Sequence, residues 1–542
     1  GTAGVSGCMN LTNNNTVYTQ TANIVPVGEA ACINITASNV TFNGNGYWIS
    51  NVTFNQSVIF SNNRQNITIR NANVSNNMGD GLTFSDVNYS LIINGTFDSN
   101  DDGIFILRSS NTTVINNIAR NNTNDGFSTA IGNGTVINNT ASFNFGFGVR
   151  IQGITDVNVT ANFVSNNTLG GILLFGGGRH TVNFNTITNN SGNGLRLSTA
   201  GSGSNTIINN TITYNSISGI DIVSSSVGNT VDNNTISFNG EAGIFKSSSS
   251  SGAIYNFSFN VINFNKYGIN LSLNGNSQIV NNVVNNNSHS GVITASNGGA
   301  VGVINIDNNS FNNNSIYGVF TIVRINITNN TIQLSTIGIY ANSSNNIIGN
   351  NTIKDNSQYG IYLNYSLLNN ITGNIFINNT IAAINLTNAQ NNTIINNSGD
   401  GNTYGIGFAS GSSGNQVFNN IIRNSRKDAV LIADAASRNN SFANISFIGT
   451  NNSFYDIRFA SSGINNTFII DSNLSNYTFT GTGGIVIFRH SRFGQVEFLR
   501  NISGNGLNFS LDFIIRNNSV FVNGSKSGLN QTANITLYGI RT

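Results

Sequence analysis

The sequence predicts an all-β fold: a right-handed parallel β-helix of about 16–20 turns, about 23 residues each, with an N-terminal cap and a C-terminal β-strand cap. Three observations carry that prediction. A small residue opens a Gly-aliphatic-X-aliphatic stretch at Gly81, Gly103, Gly126, Gly148, Gly171, Gly194, Gly219, Gly243, Gly268, Gly291, Gly318, Gly338, Gly360, Ala383, Gly405 and Ala429, in steps of 20 to 27 residues. A column of Asn keeps the same rhythm through Asn117, Asn139, Asn162, Asn185, Asn210 and Asn234 as far as Asn397 and Asn420. The composition agrees: 110 of 542 residues are Asn, 58 are Gly, one is Pro, and only 8% are charged.

One unit justifies the strands. Gly360-Ile-Tyr-Leu alternates with Ile361 and Leu363 on one face, and Asn370-Ile-Thr and Ile375-Phe give two more short strands. β-Branched residues and Asn fill every unit, which argues against helix. A unit of two or three short strands cannot bury its apolar side alone. Coiling the chain pairs each strand with its equivalent one turn later, about 4.8 Å along the axis, and parallel crossovers favour the right-handed sense. Asn suits the corners because it tolerates left-handed backbone, and stacked Asn side chains can bond along the axis.

Three segments follow. Residues 1–50 read as the N-terminal cap, since the end of a β-helix exposes unpaired strands. Residues 51–440 are the regular β-helix. Residues 441–542 are irregular turns and a terminal strand layer, rich in Phe from Phe442 to Phe498 and ending in the alternating stretches at Ser519 and Ala533. The Ser-rich stretches Ser224–Ser226 and Ser247–Ser251 read as loops. The chain opens at Gly1 without an apolar leader, as a cleaved secreted chain or an engineered one would. It stops two residues after Ile540, which leaves open a removed downstream segment or pairing of the last strands with another subunit.

Composition excludes other classes. A nucleic-acid binder needs clustered cations, and 22 Lys and Arg over this length do not supply them. No run reaches 18 apolar residues, so no segment reads as a transmembrane helix. Cys8 and Cys32 are two thiols in a reducing compartment or a single bridge in an oxidising one. The sequence holds 46 Asn-X-Ser/Thr triplets, among them Asn10, Asn34, Asn138, Asn209, Asn350 and Asn534, against about 20 by chance, which points to N-glycans. A repeat built on Asn-Asn-Thr also generates such triplets by itself.

The repeat resembles the right-handed β-helix repeats of pectate lyases, polygalacturonases and NosD-like proteins. Cys8, Asn23-Ile-Val and Cys32-Ile-Asn-Ile-Thr-Ala-Ser-Asn-Val-Thr-Phe-Asn-Gly-Asn-Gly-Tyr are similar to the entry segment of NosD-like proteins on archaeal and bacterial surfaces. The resemblance spans about residues 8–440. It implies the fold and leaves the activity open, because this fold hosts lyases, hydrolases, adhesins and rods.

Candidate chemistry concentrates in one place. Asp80, Asp102 and Asp125 precede the small residue on three successive turns, with Asp98 and Asp101 beside them. Carboxylates stacked so closely share protons or hold a cation, so a Ca²⁺ site at Asp80, Asp102 and Asp125 is one expectation. Asp80, Asp101, Asp102 and Asp125 as catalytic carboxylates of a polysaccharide lyase or glycoside hydrolase is another. Asn100-Asp101-Asp102-Gly103 is similar to the polygalacturonase Asp pair, but that family's Gly-His-Gly and Arg-Ile-Lys elements are absent. Arg108, Arg150 and Arg196 are the candidate proton acceptors in a lyase reading. Asp-Gly is also simply a favoured corner, as Asn193-Gly194 is later. Tyr267, Tyr317, Tyr359 and Tyr404 continue the column and suit sugar rings, a partner surface or plain corner packing. Three His, two Met and two Cys do not make a copper site. The reading these features favour is an extracellular structural glycoprotein, a rod that self-associates in a filament, appendage or surface layer, with no cofactor beyond the Ca²⁺ option. A lyase or hydrolase, or a carbohydrate-binding adhesin or tailspike, is the alternative.

Overall fold

A computed structural model describes the chain apart from residues 26–30, 51–54, 199–203, 224–227, 248–253, 273–275, 296–301, 461–464, 470–473, 480–485, 509, 527 and 540–542. Ser224–Ser226, most of the second Ser-rich stretch and the last residues around Ile540 therefore lie outside the described residues. The described residues form an all-β parallel solenoid of about 19 turns, about 23 residues per turn, without helix. Two compact units divide it: Gly1–Gln278 with Asn297–Gly302, and Ile279–Ser296 with Val303–Thr542.

In the first unit one turn shows the plan. Ile104–Ser110 lies in a first sheet, Thr113–Ile115 in a second and Ile118–Arg120 in a third. Each pairs in parallel with its equivalent one turn on: Ile104 opposite Phe127, Thr113 opposite Thr135, Ile118 opposite Thr140. Alternation turns Ile104, Ile106, Val114 and Ala119 inward, all essentially fully buried. The sheets meet at tight corners, and the corners explain the Asn.

Two adjacent asparagines divide the corner's work. Asn116 and Asn138 hold left-handed backbone at φ 57° and 53°. The next residues, Asn117 and Asn139, are buried. The Asn117 N–H donates to Asn139 Oδ1 at 2.9 Å, and Asn117 Nδ2 donates to the same oxygen at 3.1 Å. This bonding repeats through Asn162, Asn185, Asn210 and Asn234. A second buried column runs through Asn122, Asn144, Asn167, Asn190 and Asn215 at the corner from the third sheet to the first. At the first of these corners the next strand starts with Thr, as at Thr140, Thr211 and Thr235, and at the second a Thr or Ser follows in the turn, so both corners write Asn-Asn-Thr/Ser. The triplets at Asn121, Asn138, Asn166, Asn189, Asn209 and Asn233 all have a left-handed first Asn and a buried second one. Much of the triplet excess is thus a consequence of the fold.

The small-residue column has an equally local cause. A Cβ at Gly103 would lie 2.6 Å from the carbonyl oxygen of Gly126 and 3.0 Å from Asn122 Nδ2. Successive turns approach too closely there for most side chains.

The first 50 residues already contribute parallel strands. Thr2–Val5 pairs with Thr16–Gln20, and Met9–Leu11 with Ile33–Ile35. Cys8 and Cys32 form a disulfide across these first turns, at a sequence separation of 24. Closing that loop is worth about 3 kcal/mol. Reduction is therefore expected to speed amide exchange in Met9–Leu11 and Ile33–Ile35, with little change around Asn185, read by hydrogen-exchange mass spectrometry.

The second unit repeats the plan. Asn309, Asn330, Asn351, Asn374 and Asn397 form its buried corner column, with N–H to Oδ1 distances of 2.8–3.0 Å. Near its C-terminal end the core becomes aromatic: Phe442, Phe468, Phe488 and Phe498 follow one another with centroids 5.7–6.2 Å apart. Parallel pairing ends there. Val486–His490 pairs antiparallel with Gly494–Phe498, which pairs antiparallel with Ala533–Leu537.

Candidate functional site

The acidic edge of the first unit lies at the corner entering the first sheet. Asp80, Asp102 and Asp125 occupy the same place on successive turns, and the structure brings them together as a seam. The Asp102 N–H donates to Asp80 Oδ1 at 3.2 Å, the Asp125 N–H to Asp102 Oδ1 at 2.8 Å, and the Phe147 N–H to Asp125 Oδ1 at 2.7 Å. Each carboxylate thus accepts the backbone N–H of the following turn. The Thr83 hydroxyl donates to Asp80 Oδ2 at 2.7 Å, and Thr123 to Asp101 Oδ1 at 3.2 Å. Asp98 is drawn away to Arg120, 2.9 Å distant.

Burial sets the electrostatics. Asp102 is 6% exposed and Asp125 1%. Burial pushes the Asp102 carboxyl up to about 8, with the neighbouring Asp125 and Asp80 charges adding to it. Burial also raises Asp80, against the Thr83 hydroxyl and the Asp102 N–H. It raises Asp125 against the Phe147 N–H and the Arg150 charge.

The candidate arginines are all engaged. Arg108 pairs with Asp86 at 2.7 Å, Arg150 with Asp125 at 3.6 Å and Arg196 with Asp221 at 3.4 Å. Asp221, absent from the candidates, is 6% exposed and also accepts from Asn193 Nδ2 at 3.0 Å.

The second unit contains the same device. Asp428 precedes the small residue Ala429 and is 1% exposed. It accepts the Tyr455 N–H at 3.0 Å and pairs with Arg458 at 3.7 Å. Arg458 stands in register with Leu431, three residues after Asp428; Arg150 stands in register with Ser128, three residues after Asp125. Asn193 plays the accepting part with the Ser218 N–H at 3.0 Å. Sequence reasoning missed Asp428, although its place before Ala429 in the small-residue column is the signal.

The residues do not fit a metal. Among the described residues no group of three His, Cys, Asp or Glu gathers as a cation site, Asp80, Asp102 and Asp125 included. The expected Ca²⁺ site fails for a geometric reason: stacking lines the carboxylates up in a row, each aimed at a backbone N–H, while Ca²⁺ needs six to eight oxygens around one point. Copper fits no better. Both cysteines are in the disulfide. His180 is buried in a corner column, where its Nδ1 accepts the Val157 N–H at 3.2 Å and its own N–H donates to Asn205 Oδ1, as an Asn would.

The tyrosine column splits. Tyr267 and Tyr404 lie beside Lys266 and Lys427, at 5.4 and 5.7 Å from ring to ammonium. Tyr317 and Tyr359 join Phe320, Tyr340 and Tyr362 on the outer face of the first sheet of the second unit. Those three were not among the candidates. Their signal is an outward position three residues into successive strands.

The coil, its corner asparagines and its seam define a right-handed β-helix protein. The chain belongs to that family: the model described as "Right handed beta helix region" matches residues 27–179, 128–262 and 185–324. A model described as "Periplasmic copper-binding protein (NosD)" matches residues 265–453. Comparison with curated proteins finds no match. Similar solved structures include the Dettilon tailspike protein, with 16% identity, 60% of this chain and 62% of that one covered, and a TM-score of 0.33. The A-module of the Azotobacter vinelandii mannuronan C-5 epimerase AlgE6 is 13% identical over 81% of this chain and 91% of that one, at 0.21. Pectate lyase Pel9A is 14% identical over 59% and 68%, at 0.25. The chain spans about three-fifths of the tailspike's length.

Proposed function

We propose that the chain is a structural scaffold of an extracellular or periplasmic surface, a glycosylated β-solenoid that associates with further copies into a filament, appendage or layer. The observation that carries this reading is the duplicated carboxylate device. Asp125 with Arg150, and Asp428 with Arg458, hold the next turn's N–H and one cation in the same register in two units. A device repeated in this way serves the coil. The disulfide supports an oxidising compartment. The match to a family described as periplasmic fits the same compartments. Glycans on the exposed Asn10, Asn138, Asn350 and Asn534 would hydrate a surface poor in charge; Asn34 and Asn209 are half-buried. Electron microscopy of the purified, secreted full chain at high concentration tests the assembly. Filaments or lattices are expected, and a monomer at every concentration removes the reading.

A polysaccharide lyase or hydrolase is the second reading. The Asp102 carboxyl, held protonated near neutrality beside Asp101, is the observation that favours it. Asp102→Asn would then cost orders of magnitude in cleavage rate on an acidic polysaccharide, and an unchanged rate removes it.

A further inference from the structure

The third sheet of the first unit gathers the apolar surface that the coil leaves in solvent. Among the described residues from Phe163 to Phe264, nine of the eleven exposed large apolar side chains lie on this sheet or at its two corners. Six are rings: Phe163 on the sheet, Phe184 and Phe259 at the corner entering it, and Tyr214, Phe238 and Phe264 at the corner leaving it. They are 43–61% exposed. The five corner rings hold left-handed backbone, at φ 52–58°. Bulky side chains disfavour that conformation, and other turns place Asn there, as at Asn166, Asn189, Asn209 and Asn233. Neither backbone preference nor core packing therefore accounts for rings at these corners.

Their arrangement has two parts. Tyr214, Phe238 and Phe264 stack on successive turns, 4.7–4.9 Å apart and within 4° of parallel, and so build a ridge along the coil. The stack covers ring faces and leaves the outer ring edges in water, since each ring is still about half exposed. Beside the ridge runs a floor of small residues. The strands Thr186–Thr188, Thr211–Thr213 and Thr235–Ser237 pair in parallel and begin and end on Thr or Ser, with Ile buried between. The Thr213 hydroxyl donates to Thr188 Oγ1 at 3.1 Å and so pairs hydroxyls within the floor. The five strands from Phe163–Ser165 to Val261–Asn263 carry no charged residue. At the rim Glu241 and Lys266 neutralise each other at 2.9 Å.

Shape, area and charge select the occupant. A ridge beside a floor is self-complementary: a two-fold axis lying in the interface along the coil seats the ridge of each copy on the floor of the other. The six rings, about half exposed, leave about 600 Å² of apolar surface. Leu169, Ile217 and Val261 enlarge it towards the roughly 800 Å² that one partner brings to a stable interface. Without net charge, the face does not repel its own copy.

We infer that two copies of this chain pair face to face through the third sheet of their first units. The inference deepens the scaffold reading and rests on its self-association. It also requires that the corner triplets on this face, at Asn189, Asn209 and Asn233, carry no glycan; the Asn233 amide already donates to Asn209 Oδ1. Sedimentation velocity of the secreted full chain tests it. A concentration-dependent dimer is expected, with a dissociation constant on the order of 1 µM. Phe238→Asn combined with Phe264→Asn should raise that constant at least about tenfold. Both changes supply the residue that other turns use at this corner, and neither creates an Asn-X-Ser/Thr triplet. Thr186→Arg, on the floor, should act alike, and is read alone should the double variant fail to fold. Tyr89→Asn, an exposed left-handed position at the corner between the first and second sheets, should change nothing. Glycopeptide mass spectrometry of the dimer should find the three corner asparagines bare. Assembly undiminished in the double variant, or a glycan on any of the three, overturns the face and leaves the scaffold reading standing. A monomer at every concentration overturns both, including one that floats with phosphatidylcholine vesicles, which would put a bilayer on the face. A dimer that assembles no further supports the face and counts against the filament.

Discussion

Asn185→Ala is expected to destabilise the first unit by about 4 kcal/mol, because the side chain serves both neighbouring turns. Its Nδ2 donates to Val159 O at 2.9 Å, Asn183 O at 3.0 Å and Asn210 Oδ1 at 2.9 Å. Its Oδ1 accepts the N–H and Nδ2 of Asn162, both at 2.9 Å. Alanine leaves buried donors and acceptors unmade on three turns, and each costs about 1–3 kcal/mol. Asn185→Asp should also destabilise, since a carboxylate keeps the acceptor and loses every donor. By contrast, Asn138→Ala, at an exposed left-handed corner, should cost only about 1 kcal/mol, the backbone preference of Asn over Ala. Urea unfolding of the three variants checks the order. A cost at Asn138 equal to that at Asn185 would show that the two asparagines do not divide the work.

Asp102→Asn is expected to stabilise the protein at alkaline pH. The folded carboxyl titrates at about 8, above its ordinary value of 3.8. A raised carboxyl holds its proton in the folded state, so its contribution is fully present below about 4 and is lost as pH rises towards 8. A difference of that size corresponds to roughly 6 kcal/mol by linkage, and sharing among three coupled carboxylates makes about 3 kcal/mol the expected gain at pH 9. Asn keeps an oxygen for the Asp125 N–H, as Asn193 does for Ser218. Unfolding midpoints of wild type and variant should converge near pH 4 and diverge as pH rises. Parallel midpoints from pH 4 to 9 would show that Asp102 does not hold its proton.

The period, the parallel pairing and the corner asparagines were legible because each repeats on every turn. The Cys8–Cys32 bridge was legible as one of two options, and the structure selects it. The division of labour between neighbours such as Asn138 and Asn139 was not, since backbone sign and burial separate two identical letters. The direction of the carboxylate seam was also hidden. Equal spacing along the axis suggested a cluster around a cation, whereas a row in which each oxygen faces the next N–H has the same sequence signature. Asp125 with Arg150 and Asp428 with Arg458 need strand register to be seen as one device, because 25 and 30 residues separate the partners. The aromatic face was half visible. Tyr317 and Tyr359 lie in the column just before the small residue, but Phe320, Tyr340 and Tyr362 meet only once turns of unequal length are aligned.

The claim that the acidic edge is a seam of the coil rather than a catalytic centre is tested most directly by one assay. Full-length wild type and Asp102→Asn are incubated with polygalacturonate and with alginate, and product ends are counted over time. The scaffold account predicts no cleavage beyond the protein-free control by either protein. Cleavage by the wild type that disappears in a folded Asp102→Asn would contradict it.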